Sequence, residues 1–255
     1  MDRRKFVHHT ASGVLTATSL SQLGARGVTP AARYKAIAFD AFPIFDPRPI
    51  AALSESLFPG RGAELIAAWR TRQFEYQWLR ALGGQYADFV RTTDDALVFA
   101  AKSLKLELSS ATREQLVQAY TRLTAWPDVA PALEAFKRDG VRLALLSNMN
   151  PAMLTSNVAN ARLNGMFEHV LSTDSIKSYK PDPRAYQLGV DAFKLRREEI
   201  LFVAFAGWDV AGAAWFGYPT VWLNRLGAPA ESLGAKVVAT VPGMEGVAAL
   251  VRGPA

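Results

Sequence analysis

The run Tyr34-Lys35-Ala36-Ile37-Ala38-Phe39 constrains the fold first: a short apolar strand that ends on Asp40, followed over residues 48–123 by no strand pattern at all. That second stretch reads as helices, because apolar residues recur there at spacings of three and four. They are expected near Ala51–Leu57, Ala63–Leu82, Ala87–Leu104 and Ala111–Leu123, with Ser109 as an N-cap before the last. From Asp128 the pattern changes. Apolar runs at Arg142–Leu146, Phe167–Leu171, Ile200–Ala204, Thr220–Leu223 and Lys236–Ala239 are separated by helical segments such as Ala130–Arg138, Ala185–Phe193 and Val210–Phe216. Alternation of this kind builds a parallel sheet covered by helices. The expected architecture is α/β, a Rossmann-like parallel sheet flanked by helices, with an all-helical cap inserted after the first strand. The core should span 31–46 and 126–255, and the cap 47–125.

Composition then narrows the chemistry. The 255 residues include no cysteine, which excludes disulfides, thiolate nucleophiles and cysteine-ligated metals. Of three histidines, His8 and His9 lie near the N-terminus, so a Ser-His-Asp triad or a multi-histidine site would rest on His169 alone. The working groups should be carboxylates, lysine, arginine and hydroxyls. Half of the net charge of +6 sits in residues 1–30, where Arg3, Arg4, Lys5 and Arg26 face only Asp2. The remaining charge is nearly balanced and gives no basic surface for nucleic acid. Residues 1–30 look like a twin-arginine export leader: a basic start, then an uncharged stretch rich in Ala, Thr and Ser, too polar and short to span a membrane. The expected location is the periplasm, with the cytoplasm as the alternative.

In an open α/β sheet, ligands bind beyond the carboxyl ends of the strands. Asp40 follows the first strand, Ser147-Asn148 the second, and Trp208-Asp209 the Ile200–Ala204 run; Lys180 lies in Ser178-Tyr179-Lys180-Pro181-Asp182-Pro183, after the run ending at Leu171. Each alone is an ordinary loop or cap residue. Four strand ends in this order bring together two carboxylates, a hydroxyl and a lysine.

That order resembles the haloacid dehalogenase superfamily. Within it, Phe58-Pro59-Gly60-Arg61-Gly62, the cap stretch from Trp69-Arg70 through Gln73, Glu75-Tyr76 and Trp78-Leu79-Arg80, and Phe216-Gly217-Tyr218-Pro219-Thr220 are similar to the L-2-haloacid dehalogenases. The likeness runs from about Tyr34 to Arg225. It implies substitution at C2 of a short 2-haloacid by the Asp40 carboxylate, then hydrolysis of the resulting enzyme ester. By the same resemblance Lys180 keeps Asp40 ionised, Arg70 receives the halide, and Asp209 helps activate water. Ser147 would bind the substrate carboxylate, and Tyr186 would stand near Lys180. Phe42, Phe74, Phe89, Asn148 and Trp208 would line the halide and substrate pocket. No cofactor or metal is implied, and the resemblance implies a homodimer.

Phe42 occupies the position where phosphatases of the superfamily carry a second aspartate, which disfavours phosphoryl transfer. Two departures concern turnover. The family loop Asp-x-Tyr-Gly-Thr-Leu-Phe-Asp is here Asp40-Ala41-Phe42-Pro43-Ile44-Phe45-Asp46, one residue shorter and without its threonine. The family Ser-Ser-Asn before Trp-Asp is replaced around Ala204-Phe205-Ala206-Gly207, with a hydroxyl and an amide lost. A non-catalytic or hydrolysis-impaired binding relative of the same fold is therefore the alternative reading, and a tighter apolar pocket also suits a small fluorinated acid.

Overall fold

The computed structural model describes residues 33–253. The export leader expected over 1–30, with His8 and His9, lies outside the described residues. Six parallel strands form one sheet in the order β3-β2-β1-β4-β5-β6. In chain order they are β1 (Ala36–Phe39), β2 (Arg142–Ser147), β3 (His169–Ser172), β4 (Ile200–Ala204), β5 (Thr220–Leu223) and β6 (Ala239–Val241). The chain runs outward from β1 through β2 to β3, then returns to the other side of β1 for β4. The order therefore reverses at β1, and a crevice opens at the carboxyl ends of β1, β2 and β4.

Strand side chains alternate between two faces, as the pleat requires. Ile37, Phe39, Leu143, Leu145, Leu201 and Val203 point into one core layer. That layer also takes Leu133 and Phe136 of α6 (Val129–Arg138) and Val247 and Val251 of α10 (Met244–Arg252). Ala36, Ala38, Ala144, Leu146, Ile200 and Phe202 point the other way. There they meet Tyr186 and Phe193 of α8 (Pro183–Phe193) and Val210, Ala213 and Phe216 of α9 (Gly207–Phe216). Every residue of β1 and β4 is buried on both faces, hence the unbroken apolar runs.

Between β1 and α6 the chain builds only helices: α1 (Ala41–Ile44), α2 (Arg48–Leu57), α3 (Gly62–Leu82), α4 (Phe89–Ser103) and α5 (Ser110–Ala119). Ser109 caps α5 by accepting from the Thr112 N–H, as its type and position suggest. The outgoing and returning segments run side by side, joined by an antiparallel bridge between Phe45 and Ala125 and by the Asp46 N–H donating to Thr124 O (2.9 Å). Asn157, buried on α7 (Pro151–Asn160), holds the return: its amide donates to Tyr120 O (2.9 Å) and accepts from the Leu123 N–H (3.0 Å). The first core layer continues without a break into Leu65, Trp69, Ala96 and Leu97 of these helices.

Three local expectations shift. The loop after Asp40 contains one helical turn, α1, because Asp40 caps it and Pro43 is tolerated where no intrahelical N–H is needed. The run placed at Phe167–Leu171 pairs over His169–Ser172, and the last strand is Ala239–Val241 in place of Lys236–Ala239, at the sheet edge.

Candidate active site

Asp40 sits where the strand order reverses. Its backbone N–H donates to Val203 O (3.0 Å), which continues the β1–β4 ladder and puts Ala204 beside it. Lys180, in the loop before α8, is completely buried, and its ammonium donates to Asp40 Oδ1 (2.7 Å) and to Asp209 Oδ2 (2.6 Å). Asp209 lies in the first turn of α9. Its other oxygen, Oδ1, accepts from the Tyr186 hydroxyl (2.7 Å). Tyr186 is itself placed by Tyr218, whose hydroxyl donates to Tyr186 O (2.7 Å). Room for the Tyr186 hydroxyl against α9 exists because residue 212 is glycine; a Cβ there would collide with it.

A lysine inside a protein normally loses its proton, since burial penalises the charged form. Burial does pull on Lys180, but the charges and hydrogen bonds of Asp209 and Asp40 outweigh it and hold the amine above the usual lysine range. Asp209 moves the other way from an ordinary carboxyl: burial and the Asp40 charge raise its pKa to about 6, against the pull of Lys180 and Tyr186. Burial and the adjacent Asp209 charge keep the Tyr186 phenol firmly protonated, so it remains a donor. The array thus has one ammonium, a nucleophile-grade carboxylate whose Oδ2 accepts only a long bond (3.3 Å) from the Phe42 N–H, and a second carboxylate able to take a proton near neutrality.

The cap supplies the opposite wall. One face of α3 carries Arg70, Gln73, Phe74, Gln77 and Trp78, spaced to lie over the strand ends. Phe74 and Trp78 pack edge-on against Trp208 (5.2 and 5.6 Å between rings), and the Trp78 indole donates to Lys180 O (3.2 Å). Arg61, Arg72 and Arg80 each pair with a carboxylate, whereas Arg70 pairs with none among the described residues. Arg70 and Phe74 line two adjoining cavities, one of about 100 Å³ with Phe42, Gln73 and Tyr120, the other of about 230 Å³ with Phe205, Ala206 and Trp208.

Asp40, Lys180, Asp209 and Tyr186 thus form one hydrogen-bonded chain in that order, and Arg70, Phe42, Phe74 and Trp208 line the two cavities. Phe89 is not in that lining; it starts α4 and packs behind Tyr120 (5.9 Å). Ser147 is buried at the end of β2 and accepts from the Met149 N–H (3.1 Å). Asn148 is a scaffold as much as a wall: its Oδ1 accepts from the Lys180 N–H (2.9 Å) and the Thr173 hydroxyl (3.3 Å), and its amide donates to Gln77 Oε1 (2.9 Å). The sequence pattern assigns no site role to Gln77, Tyr120 or Phe205. A glutamine on the apolar face of a helix, at seven residues from Arg70, was the available signal for the first.

A family profile described as haloacid dehalogenase-like hydrolase matches residues 12–217. The chain belongs to the haloacid dehalogenase-like hydrolases. It is 40% identical over 220 residues to haloacetate dehalogenase H-2 of Moraxella sp. (strain B), covering 86% of this chain and 98% of that one. It is 43% identical over 201 residues to an (S)-2-haloacid dehalogenase of Pseudomonas sp. (strain YL), covering 78% and 87%. Its fold superposes with a TM-score of 0.80, at 35% identity and over 87% of this chain and 100% of the other, on L-2-haloacid dehalogenase from Xanthobacter autotrophicus with chloropropionic acid covalently bound.

Phosphatases among the haloacid dehalogenase-like hydrolases use Mg²⁺, and the residues here do not fit that ion. The Lys180 ammonium already bridges Asp40 and Asp209, Phe42 stands where a further carboxylate would be needed, and no group of three potential metal-ligating side chains occurs among the described residues. The family's missing hydroxyl and amide are also visible: Ala204 flanks Asp40 on β4, and Ala206 heads α9 with no side-chain cap.

Because Tyr186 donates to the ionised form of Asp209, Tyr186→Phe should raise the Asp209 pKa. A hydrogen bond to a charged group contributes about 1.5–3 kcal/mol, which corresponds to about one to two pH units. The acidic limb of the pH–rate profile should move upward by that amount in the variant. An unmoved limb would remove Asp209 as the titrating base.

Proposed function

We propose that this protein hydrolyses the carbon–halogen bond of short 2-haloalkanoic acids, giving 2-hydroxy acids through an ester on Asp40. The observation that carries the reading is the Asp40–Lys180–Asp209 array beside small cavities into which an unpaired Arg70 faces. Attack by Asp40 Oδ2 on C2 forms the C–O bond while the C–X pair leaves with the halide. Lys180 holds the other oxygen and keeps the carboxylate aimed. Arg70 offsets the charge that grows on the departing halide, and Phe74 and Trp208 exclude water around it. Ser147 binds the substrate carboxylate. Asp209 then takes a proton from water as that water attacks the Asp40 ester carbonyl, which expels the 2-hydroxy acid and restores Asp40.

Ala204 and Ala206 favour a refinement of this reading. With a hydroxyl and an amide missing beside the ester, hydrolysis loses hydrogen bonds worth about 2–4 kcal/mol each in a catalytic network, and becomes the slow half of the cycle. Mixing enzyme with bromoacetate should release bromide in a burst equal to the enzyme concentration, followed by slower turnover, with no added metal. Asp40→Asn should reduce both phases to background, and Asp209→Asn should retain the burst and lose the turnover. No bromide release by the parent protein would contradict the proposed activity.

Two further assignments concern location and assembly. Arg3-Arg4-Lys5 and the uncharged stretch after them support twin-arginine export to the periplasm. Among the described residues no helix is long and apolar enough to cross a membrane. Changing Arg3 and Arg4 to Lys should leave the protein in the cytoplasmic fraction of expressing bacteria; unchanged periplasmic recovery would refute the route. Leu79, Leu82 and Trp215, exposed on α3 and α9, support a homodimer.

A further inference from the structure

The turn that follows the nucleophile cannot hold itself. A helix end leaves its carbonyls without intrahelical donors, and α1, at four residues, is almost all end. The Ala41 carbonyl is taken locally, by the Phe45 N–H (2.8 Å). The next three carbonyls lack the donors that a longer helix would bring. The Asp46 N–H goes to Thr124 O (2.9 Å), Pro47 has no N–H, and the Arg48 N–H goes to Asp46 Oδ1 (2.9 Å). The shortened loop from Ala41 to Phe45 carries no hydroxyl of its own.

Two residues from elsewhere supply all three bonds. The Trp126 indole donates to Phe42 O (3.0 Å), the Arg225 guanidinium to Pro43 O (3.2 Å), and the Trp126 N–H to Ile44 O (3.1 Å). Trp126 lies on the return from the cap, and Arg225 follows β5. Trp126 is buried, and the Arg225 side chain is 7% exposed. The guanidinium lies over the indole, 4.7 Å from its centre, and forks onto Asp128 (3.0 and 2.8 Å). Trp126 lines neither of the two cavities, so it meets the reacting groups only through the turn.

What the turn governs is the attacking oxygen. Asp40 caps α1, and the Phe42 N–H is the one donor to Asp40 Oδ2 among the described residues (3.3 Å). Phe42 is thus gripped at its carbonyl by Trp126 and offers its N–H to the carboxylate. We propose that Trp126 and Arg225 are positioning residues for the nucleophile, fixing the turn that aims Asp40 Oδ2 at the carbon under attack. The attack itself rests on the haloacid reading, whereas the geometry of the turn is measurable without it.

Trp126→Phe removes the indole N–H and keeps a ring for Arg225 to lie over. Arg225→Lys keeps a cation beside Asp128 but loses the fork that also reaches Pro43 O. Bromide release is followed in single turnovers, with enzyme in increasing excess over bromoacetate. A misplacement of about 1 Å can cost about a hundredfold in rate, so the limiting rate constant should fall about 10–100-fold in each variant. The enzyme concentration that gives half the limiting rate should stay at the parent's value. A merely structural role would do the reverse: lost folded protein raises that concentration and leaves the limiting rate constant unchanged. Crystal structures of both variants should show α1 and Asp40 Oδ2 displaced from their parent positions while Lys180 Nζ still meets Asp40 Oδ1. An undisplaced turn, or an unchanged limiting rate constant, would overturn the proposal. If the parent and both variants release no bromide, the haloacid reading falls and the crystal structures decide the positioning alone: a displaced turn upholds it and an undisplaced one overturns it.

Discussion

The Lys180 ammonium is the interaction on which this structure turns. It is a fully buried cation between two buried carboxylates, and no member of the set is tolerable without the others. Removing one partner from a buried pair costs about 3–5 kcal/mol, because a charge is left unpaired away from water. The sheet topology answers that demand. Reversal of strand order at β1 brings the ends of β1 and β4 together, and the loop before α8 lays Lys180 across them. The same geometry leaves one oxygen of Asp40 with only the long Phe42 N–H bond while Lys180 holds the other. Stability and reactivity thus draw on one set of contacts.

The cap is fitted to this array rather than simply placed above it. Trp78 bonds the Lys180 carbonyl, and Gln77 bonds the Asn148 that holds the Lys180 N–H. The position of α3 therefore reports on the position of the lysine, and Arg70, on the same helical face, is carried into place by it. Trp208 next to Asp209 packs against Phe74 and Trp78, so the Arg70 side of the pocket and the Asp209 side share one wall. The paired segments around Phe45 and Ala125, with Asn157 behind them, fix where the cap departs and returns.

Much of this was legible in the residues. β4 and β5 fall where unbroken apolar runs end, since both faces of those strands are buried. Asp40, Lys180 and Asp209 stand out because charged residues at the ends of such runs need partners. The edge strand β6 was misplaced because exposed Val237 and Val238 carry a strand-like pattern that no burial supports. The turn α1 was hidden by Pro43, whose usual role as a breaker does not apply in a first turn. Phe89 shows a different limit: an apolar residue at the start of a cap helix can face the ligand or back the residue that does, and here Tyr120 stands in front of it. Asn148 is similar, since its neighbour in sequence marks the site but its amide is taken up by Gln77, seventy-one positions away.

The central claim is that Asp40 is alkylated and then regenerated by water. It is tested most directly by a single turnover in heavy-oxygen water with enzyme in excess over bromoacetate, followed by mass spectrometry of the peptide containing Asp40. The account predicts that heavy oxygen enters the Asp40 carboxylate, and that the glycolate formed in this first turnover carries none from solvent in its new hydroxyl. Label appearing in that hydroxyl while Asp40 stays unlabelled would mean that water attacks C2 directly, and would contradict the account.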